Sequence, residues 1–495
     1  MEDFVKFLND ILWHDYFIYT ILAVGLLFSI STRFLQVRHI KDMFLLMFKG
    51  KSSDAGVSSF QALSMALAGR VGTGNIAGVA TAIAMGGPGA VFWMWTIAFI
   101  GSSSAFIEST LAQIYKVKKD GQYRGGPAYY IEKGIGVKWF AYLFAFASLV
   151  AMAILMPGVQ SQSIATAMDN AFNINPWITG AVIVILLAVI IFGGVKRIAT
   201  TAQIIVPFMA LAYILIALII VAINITEVPA VISLIISSAF AIDSAFGGII
   251  GMAIAWGVKR GIYSNEAGQG TGAHAAAAAE VSHPAKQGLV QAASVYIDTL
   301  LVCSATAFMI LFTGMYNTYE EKGDTLAEST YVVENISGIE DGPGYTQAAI
   351  DTVFPGFGSA FVAIALFFFA FTTIMAYYYI AETNVAYLLG NRDGKVWMLL
   401  IKLAILAATM YGAVQTAQLA WALGDVGLGI MVWLNVIAIL ILVKPALITL
   451  KDYERQKKQG LDPVFDPKAL GIKNADFWEH EYNKDAKTEA EKKTV

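Results

Sequence analysis

The chain repeatedly runs for about 20 residues with almost no charge, the length a helix needs to cross the hydrocarbon core of a bilayer. Eleven such stretches can be laid out, at 17–36, 58–84, 90–115, 139–168, 177–194, 200–224, 234–257, 288–316, 356–389, 396–413 and 425–447. Backbone groups inside lipid must find internal partners, so each stretch is expected to be helical. Only 14% of the 495 residues are Asp, Glu, Lys or Arg, against roughly a quarter in soluble domains. An all-α integral membrane protein is the fold class these numbers predict. The net charge of −3 gives no reason to expect a nucleic-acid partner, and the single cysteine, Cys303, excludes an internal disulfide or a cysteine metal cluster.

The loops predict an orientation. Loop 33–51 carries Arg33, Arg38, Lys41, Lys49 and Lys51, and loop 116–138 carries Lys116, Lys118, Lys119, Arg124, Lys133 and Lys138. Between them, GGPGA has no basic residue. The alternation continues through Lys196 and Arg197, then NITEVPA, then Lys259, Arg260 and Lys286; loop 317–355 sets Lys322 against eight acids. The positive-inside rule places the N-terminus outside and the C-terminus in the cytoplasm of a multi-pass cell-membrane protein. MEDFVKFLND lacks a basic n-region, so Tyr16–Gln36 is expected as a retained span. The charged tail 451–495 is expected to be solvated and partly disordered.

Setting aside the first span, five spans in 58–224 enter from the cytoplasm and five in 225–450 enter from outside. Residues 1–57 then hold the extra helix, and 317–355 is an extracellular loop. Each half opens on a span with a glycine-rich interruption, GRVGTGNIAGVA (69–80) in the first and SAFGGIIG (Ser244–Gly251) in the second. Each glycine costs about 1 kcal/mol against alanine within a helix. Paired interruptions in inverted halves point to a transport site at the midplane. The freed N–H groups of one half-helix suit a carboxylate, and the freed carbonyls of the other suit an ammonium or a bare cation. Close helix packing is the competing use of such glycines.

Polar residues at membrane depth add candidates. Thr73 and Asn75 sit within the first interruption. Gln160 and Gln162 can face a cavity or bond between helices. Thr372 and Thr373 can cap i−4 carbonyls, or with carbonyl oxygens hold a small hard cation such as sodium. Arg70, Glu108, Asp243, Asp298 and Glu382 must be paired or wetted, and an acid from a neighbouring helix is expected beside Arg70. His274, Glu280 and His283 do not share a helical face, and Pro284 ends their run, so a metal centre or an enzyme is a weak rival. SNEAGQGTG lacks the Gly-Lys-Ser/Thr of a phosphate loop and reads better as a cytoplasmic hinge beside the second broken helix. A channel would need a repeated pore-loop pattern, which is not present.

Three blocks, ALAGRVGTGNIAGVATAIAMGGPGAVFWMW, WGVKRGIYSNEAGQGTGAHAAAAAEVSHPAKQGLV and SVYIDTLLVCSATAFMIL, resemble the alanine/glycine:cation symporter family, and the likeness covers nearly the whole chain. The resemblance implies a leucine-transporter-like fold, a 5+5 inverted repeat with two broken helices plus one extra N-terminal helix. It implies sodium-coupled, in some members proton-coupled, uptake of alanine and glycine, with Na+ as coupling ion and no organic cofactor. By the same resemblance Thr73, Gly74, Asn75 and Gln160 contact substrate, joined by Phe246, Gly247 and Gly248, with Phe246 as a wall limiting side-chain size. Sodium is implied at the carbonyls of Ala68, Val71 and Phe369 and the hydroxyls of Thr372 and Thr373. A sensor that binds the same amino acid without transporting it would share every one of these motifs.

Overall fold

The computed structural model describes residues 2–50, 52–240, 242, 246–323 and 325–482. Helices α1 (Glu2–Leu12) and α2 (Asp15–Ser31) meet at a bend of 42°. Two short helices, α3 (Leu35–Arg38) and α4 (Ile40–Met47), lead to α5 (Ser59–Arg70). Ser58 starts α5 with a capping box: its hydroxyl accepts from the Gln61 N–H while the Gln61 side chain accepts from its own N–H. After a break, a π-turn (Gly74–Gly78) runs into α6 (Val79–Gly86), and α7 (Gly89–Ile114) follows. A small hairpin, β1 (Val117–Lys119) with β2 (Gln122–Arg124), precedes α8 (Pro127–Tyr130) and α9 (Lys138–Val150). A π-turn at Ala151–Leu155 joins α9 to α10 (Pro157–Phe172), where Pro157 restarts the helix at a position needing no N–H partner. The first half ends with α11 (Pro176–Ile191) and α12 (Val195–Ile223).

The second half begins with α13 (Val228–Ala239), α14 (Ile250–Asn265) and α15 (Thr271–Ala278). Next come α16 (Pro284–Val295), a π-helical segment (Tyr296–Cys303) and α17 (Ser304–Thr313). The acidic loop folds into a hairpin of β3 (Asn317–Glu321) and β4 (Thr330–Glu334), then α18 (Pro343–Val353). Four helices finish the fold: α19 (Gly358–Leu389), α20 (Lys395–Ala413), α21 (Ala417–Ile441) and α22 (Val443–Lys458). Among the described residues seven helical stretches are long and apolar enough to cross a membrane, or eight with α1 and α2 as one bent span. Three expected spans fall outside that number for a physical reason. One is the 16-residue α11, and the spans around α5–α6 and α14 are cut into short pieces.

Two of those cut spans lie side by side and antiparallel. Val57, just before α5, exchanges backbone bonds with the end of α15: its N–H donates to the Ala278 carbonyl at 2.9 Å, and its carbonyl accepts from Glu280 at 2.8 Å. At the opposite end, a Cβ on Gly86 would stand 3.0 Å from Ala253 near the start of α14. The breaks between these ends are level. Gly69 lies against Glu266, and Gly74 lies against Ser264.

This relocates the second interruption. Of SAFGGIIG, Ser244 and Ala245 lie outside the described residues, as does Asp243; Phe246 begins a short 3-10 turn, Gly247–Ile249, ahead of α14. Phe246 packs its ring on Gly87, beyond the far end of α6, so this interruption stands at one end of the helix pair. The segment facing the first break is Glu266–Gly270, which separates α14 from α15. The expected span 234–257 is accordingly two helices, and the pair lying antiparallel to α5–α6 runs from Ile250 to Ala278.

The tail also departs from expectation. Residues 459–482 fold back on the bundle, with Phe465, Phe477 and Trp478 buried. The Trp478 indole N–H donates to the Gln113 carbonyl at the end of α7 at 2.8 Å, and the Phe465 N–H donates to Ser282 at 2.9 Å. Lys116, fully buried, places its ammonium over Tyr123, Phe477 and Trp478 and donates to the Ala279 carbonyl. Burial pushes that ammonium down to about 7, against the upward pull of Glu280. Charge is no barrier to docking when the apolar residues are spaced to insert between the charged ones; residues 483–495 lie outside the described residues. Trp478→Ala should cost about 3–5 kcal/mol, read as a clear fall in the thermal midpoint of the detergent-purified protein, and an unchanged midpoint would show that the tail does not pack.

Candidate functional site

At the first break α5 stops because Val71 (ψ 87) and Gly72 turn out of the helix, and Thr73 (φ −58, ψ −33) is already back in helical conformation. The last helical bond runs from the Val71 N–H to the Leu67 carbonyl at 2.7 Å. Amide side chains take over the freed donors. Gly72 N–H donates to Asn75 Oδ1 at 2.8 Å, and Thr73 N–H donates to Gln160 Oε1, from α10, at 3.1 Å. Gln160 is held on its other side by the Tyr263 hydroxyl of α14 and the Tyr377 hydroxyl of α19, each 3.3 Å from its Nε2. The hydroxyl of Thr73 is buried without a partner among the described residues. Gly72 is required here by space: a Cβ would sit 2.3 Å from Thr373 Oγ1 and 3.0 Å from Gln160 Oε1.

The second break is built from residues in left-handed conformations, Glu266 (φ 55), Gly268 (φ 83) and Gly270 (φ 86). Its backbone is satisfied from outside. Glu108 on α7 accepts from Gly270 N–H at 3.0 Å, and Asn435 on α21 donates to the Gly268 carbonyl at 2.9 Å. The two breaks are then tied together by Asp298 in the π-helical segment. Its carboxylate accepts from Asn75 Nδ2 at 2.6 Å, Ser264 Oγ at 2.9 Å and Thr299 Oγ1 at 2.7 Å. Thr306 donates to the Asn75 carbonyl at 2.6 Å. A carboxylate with three donors is affordable in a dry interior; an isolated one is not.

A second cluster lies where α19 crosses the end of α5. Thr373 Oγ1 donates to the Ala68 carbonyl at 2.9 Å and to Phe369 at 3.1 Å, and Thr372 Oγ1 donates to Phe369 at 2.9 Å. Val71, also buried, caps the same helix end. Thus four of the five residues read as sodium ligands already share hydrogen bonds between carbonyls and hydroxyls, a donor set of hard oxygens.

Among the expected substrate residues, Thr73, Asn75 and Gln160 are brought together. Gly74 adjoins them and packs against α14. Its missing Cβ lets α14 approach, since that atom would be 3.0 Å from Ser264 Cα. Phe246, Gly247 and Gly248 are not brought to this place, because Phe246 sits at Gly87, thirteen residues past Gly74, about 20 Å along a helix. Gln162 instead bonds Thr166 on its own helix. The partners missed from sequence are Gly72, Tyr263, Ser264 and Glu266; Asp298 was expected to be paired, and its partners are Asn75, Ser264 and Thr299. The polar NEAGQG had the glycine signal of the first break, but its charge and amides made it read as a loop.

The remaining ionisable residues have separate fates. Arg70 donates to the Gln291 carbonyl and the Ser294 hydroxyl, and no described carboxylate lies within ion-pair distance; Glu266, Glu108 and Asp298 act on it through space. Glu382 pairs with Arg124 at 3.1 Å. His274 bonds the Gly270 carbonyl and Asn384, Glu280 accepts from Tyr123, and His283 caps α16 and meets Asp452.

Two interrupted helices meeting break to break inside an apolar bundle define a membrane transporter. The fold agrees: a manganese transporter of Eremococcus coleocola superposes with a TM-score of 0.52 over 87% of this chain and 88% of its own, at 14% identity. Sequence narrows the class. Residues 1–467 match the model of the sodium:alanine symporter family, and the chain belongs to that family. YrbD of Bacillus subtilis is 75% identical over 482 residues, covering 97% of this chain and 98% of that protein. The sodium/proton-dependent alanine carrier protein of Bacillus sp. (strain PS3) is 58% identical, covering 89% and 98%. The sodium/alanine symporter AgcS of Methanococcus maripaludis is 37% identical, covering 89% and 95%. The chain is therefore a transporter and not an enzyme.

Gly72→Ala should destabilise the protein by about 1–3 kcal/mol through overpacking. Thr373→Ala in the same chain should recover most of that loss, because it removes the atom the new methyl strikes. Thermal unfolding of the two single variants and the double variant measures the coupling; strictly additive effects would show that Gly72 and Thr373 do not touch.

Proposed function

We propose that this chain takes up alanine and glycine by sodium-coupled symport, working by alternating access at the two facing breaks. The observation that carries this reading is the junction of α5, α6, α14 and α19. There, freed backbone donors (Gly72, Thr73) and hydroxyl–carbonyl pairs (Thr372, Thr373, Ala68, Phe369) flank one helix end. A substrate carboxylate competes with the Gln160 and Asn75 side-chain oxygens for the Gly72 and Thr73 N–H groups. Sodium takes the oxygens of Ala68, Val71, Phe369, Thr372 and Thr373, so ion and substrate order the two sides of one short break, which couples them. Tyr263 and Tyr377, which hold Gln160, take the limiting role that Phe246 was expected to play.

The proposed topology has eleven crossings. After α1–α2, five run through α5–α6, α7, α9–α10, α11 and α12 within 58–224. Five run in the opposite sense through α14–α15, α16–α17, α19, α20 and α21 within 225–450. The basic loops put the Val57–Ala279 bridge and the tail in the cytoplasm and the N-terminus outside. A zwitterion is neutral, so one sodium moves one charge. A potential of 100 mV then supplies about 2.3 kcal/mol, roughly fiftyfold accumulation. Proton coupling is the second reading, supported by the buried acids around Arg70 and by the printed name of the Bacillus sp. relative.

In proteoliposomes, an inward sodium gradient should drive uptake of radiolabelled alanine, and Thr372→Val with Thr373→Val should lower the number of sodium ions moved per alanine by one. An unchanged sodium ratio in that variant would remove the site. Binding without flux in the unmodified protein would make it a sensor instead.

A further inference from the structure

Four charged side chains are buried where the breaks meet, and their signs do not balance. Arg70 on α5 is the cation among these four; Glu108 on α7, Glu266 in the second break and Asp298 in the π-helical segment are three acids, all at most 2% exposed, while Lys259 and Arg260, earlier on α14, are paired with Asp425. The acids differ in how their charge is offset. Asp298 receives Asn75, Ser264 and Thr299. One oxygen of Glu108 receives Gly270 and Asn435. Glu266 receives one hydroxyl, Thr271 at 2.8 Å on Oε2, and its Oε1 has no partner among the described residues.

Glu266 also lines a cavity. The space lies between α5, α15 and α19, bordered by Gly69, Thr271, Gly272, Ala376 and Tyr379 as well as Glu266, with room for about one water molecule. The gap exists because two flanking residues are glycines. A Cβ on Gly69 would approach the carboxylate to 3.2 Å, and one on Gly272 would stand 2.5 Å from Arg70 Nη2. The charged and titratable groups acting on Glu266 are Arg70 from α5 and Asp298, with Tyr377 from α19 sensing its charge and Tyr379 at the cavity wall. A buried carboxylate with one oxygen unpartnered, a one-particle cavity and an excess of negative charge at membrane depth all call for a cation.

We infer that Glu266 binds one monovalent cation, H+ or Na+, as a second coupling ion separate from the one at Thr372 and Thr373. The inference rests on the transporter reading above. A proton would add to Oε1 and neutralise the side chain; a sodium ion would sit in the cavity against the same oxygen and the Thr271 hydroxyl. Either one joins the second break to α5 and α19, and it leaves on the opposite side of the membrane when that contact opens. Each alanine then carries two positive charges rather than one.

The test uses the full-length protein in proteoliposomes with a clamped potential, measuring charge, 22Na+ and H+ moved per alanine. The unmodified protein should move two charges per alanine, and Glu266→Gln, which mimics the neutral loaded state, should move one. Accumulation at 100 mV should fall about fiftyfold in the variant. A proton at Glu266 predicts loss of the alanine-linked H+ flux with the sodium ratio unchanged; a sodium predicts that the sodium ratio drops from two to one. Should Glu266→Gln not fold, Thr271→Val serves, with an expected shift of about tenfold in the half-maximal concentration of the second ion. Unchanged charge and ion ratios in Glu266→Gln, or an unshifted ion dependence in Thr271→Val, overturn the inference. A protein that moves alanine with one charge contradicts this site alone, whereas one that moves no alanine contradicts the transporter reading.

Discussion

A helix interrupted inside a membrane leaves N–H and carbonyl groups that lipid cannot satisfy, and the rest of this structure is arranged around that constraint. Here the Gly72 N–H is met by Asn75 of the same break, and other freed groups are met by side chains from other helices. Gln160 reaches Thr73 from α10, Thr373 reaches Ala68 from α19, Thr306 reaches Asn75 from α17, Glu108 reaches Gly270 from α7, and Asn435 reaches Gly268 from α21. The breaks are tolerated because these helices surround them. Conversely, those helices are positioned by having to reach the breaks.

This mutual dependence links structure to transport. A bond between a freed backbone group and a side-chain oxygen can be exchanged for a bond to a ligand oxygen at little net cost, since one hydrogen bond replaces another. In the proposed site, the N–H groups of Gly72 and Thr73 and the carbonyl of Ala68 are the places where ligand and protein compete on nearly equal terms. Asp298 has a different part: gripping Asn75 and Ser264 at once, it holds the two breaks at one level. Cys303 Sγ lies beside the same pair, within hydrogen-bond distance of both Asn75 and Ser264.

The first break was legible because its glycines interrupt an otherwise apolar run, and the Thr372–Thr373 pair was legible because two hydroxyls at membrane depth stand out. The second break was misplaced for the same reason. SAFGGIIG is apolar and glycine-rich, so it resembles a broken span, whereas NEAGQG carries a glutamate and two amides and resembles a loop. Hydropathy measures the solvent a residue prefers when alone. It does not register a carboxylate such as Glu266, which is brought into the interior beside Arg70. The tail was misjudged similarly, since Phe465, Phe477 and Trp478 decide its docking although charged residues outnumber them.

The residue order by itself determined that the chain crosses a membrane, that its loops alternate in basic charge, and that a helix must open near Gly72. These follow from composition and local backbone preference, which act over a few residues. Which second opening faces the first, which acids gather round Arg70, and which hydroxyl meets which carbonyl were decided by tertiary structure. Most of those contacts join residues about two or three hundred positions apart, such as Ala68 with Thr373 and Asn75 with Asp298, and their energy exists only once the helices have packed.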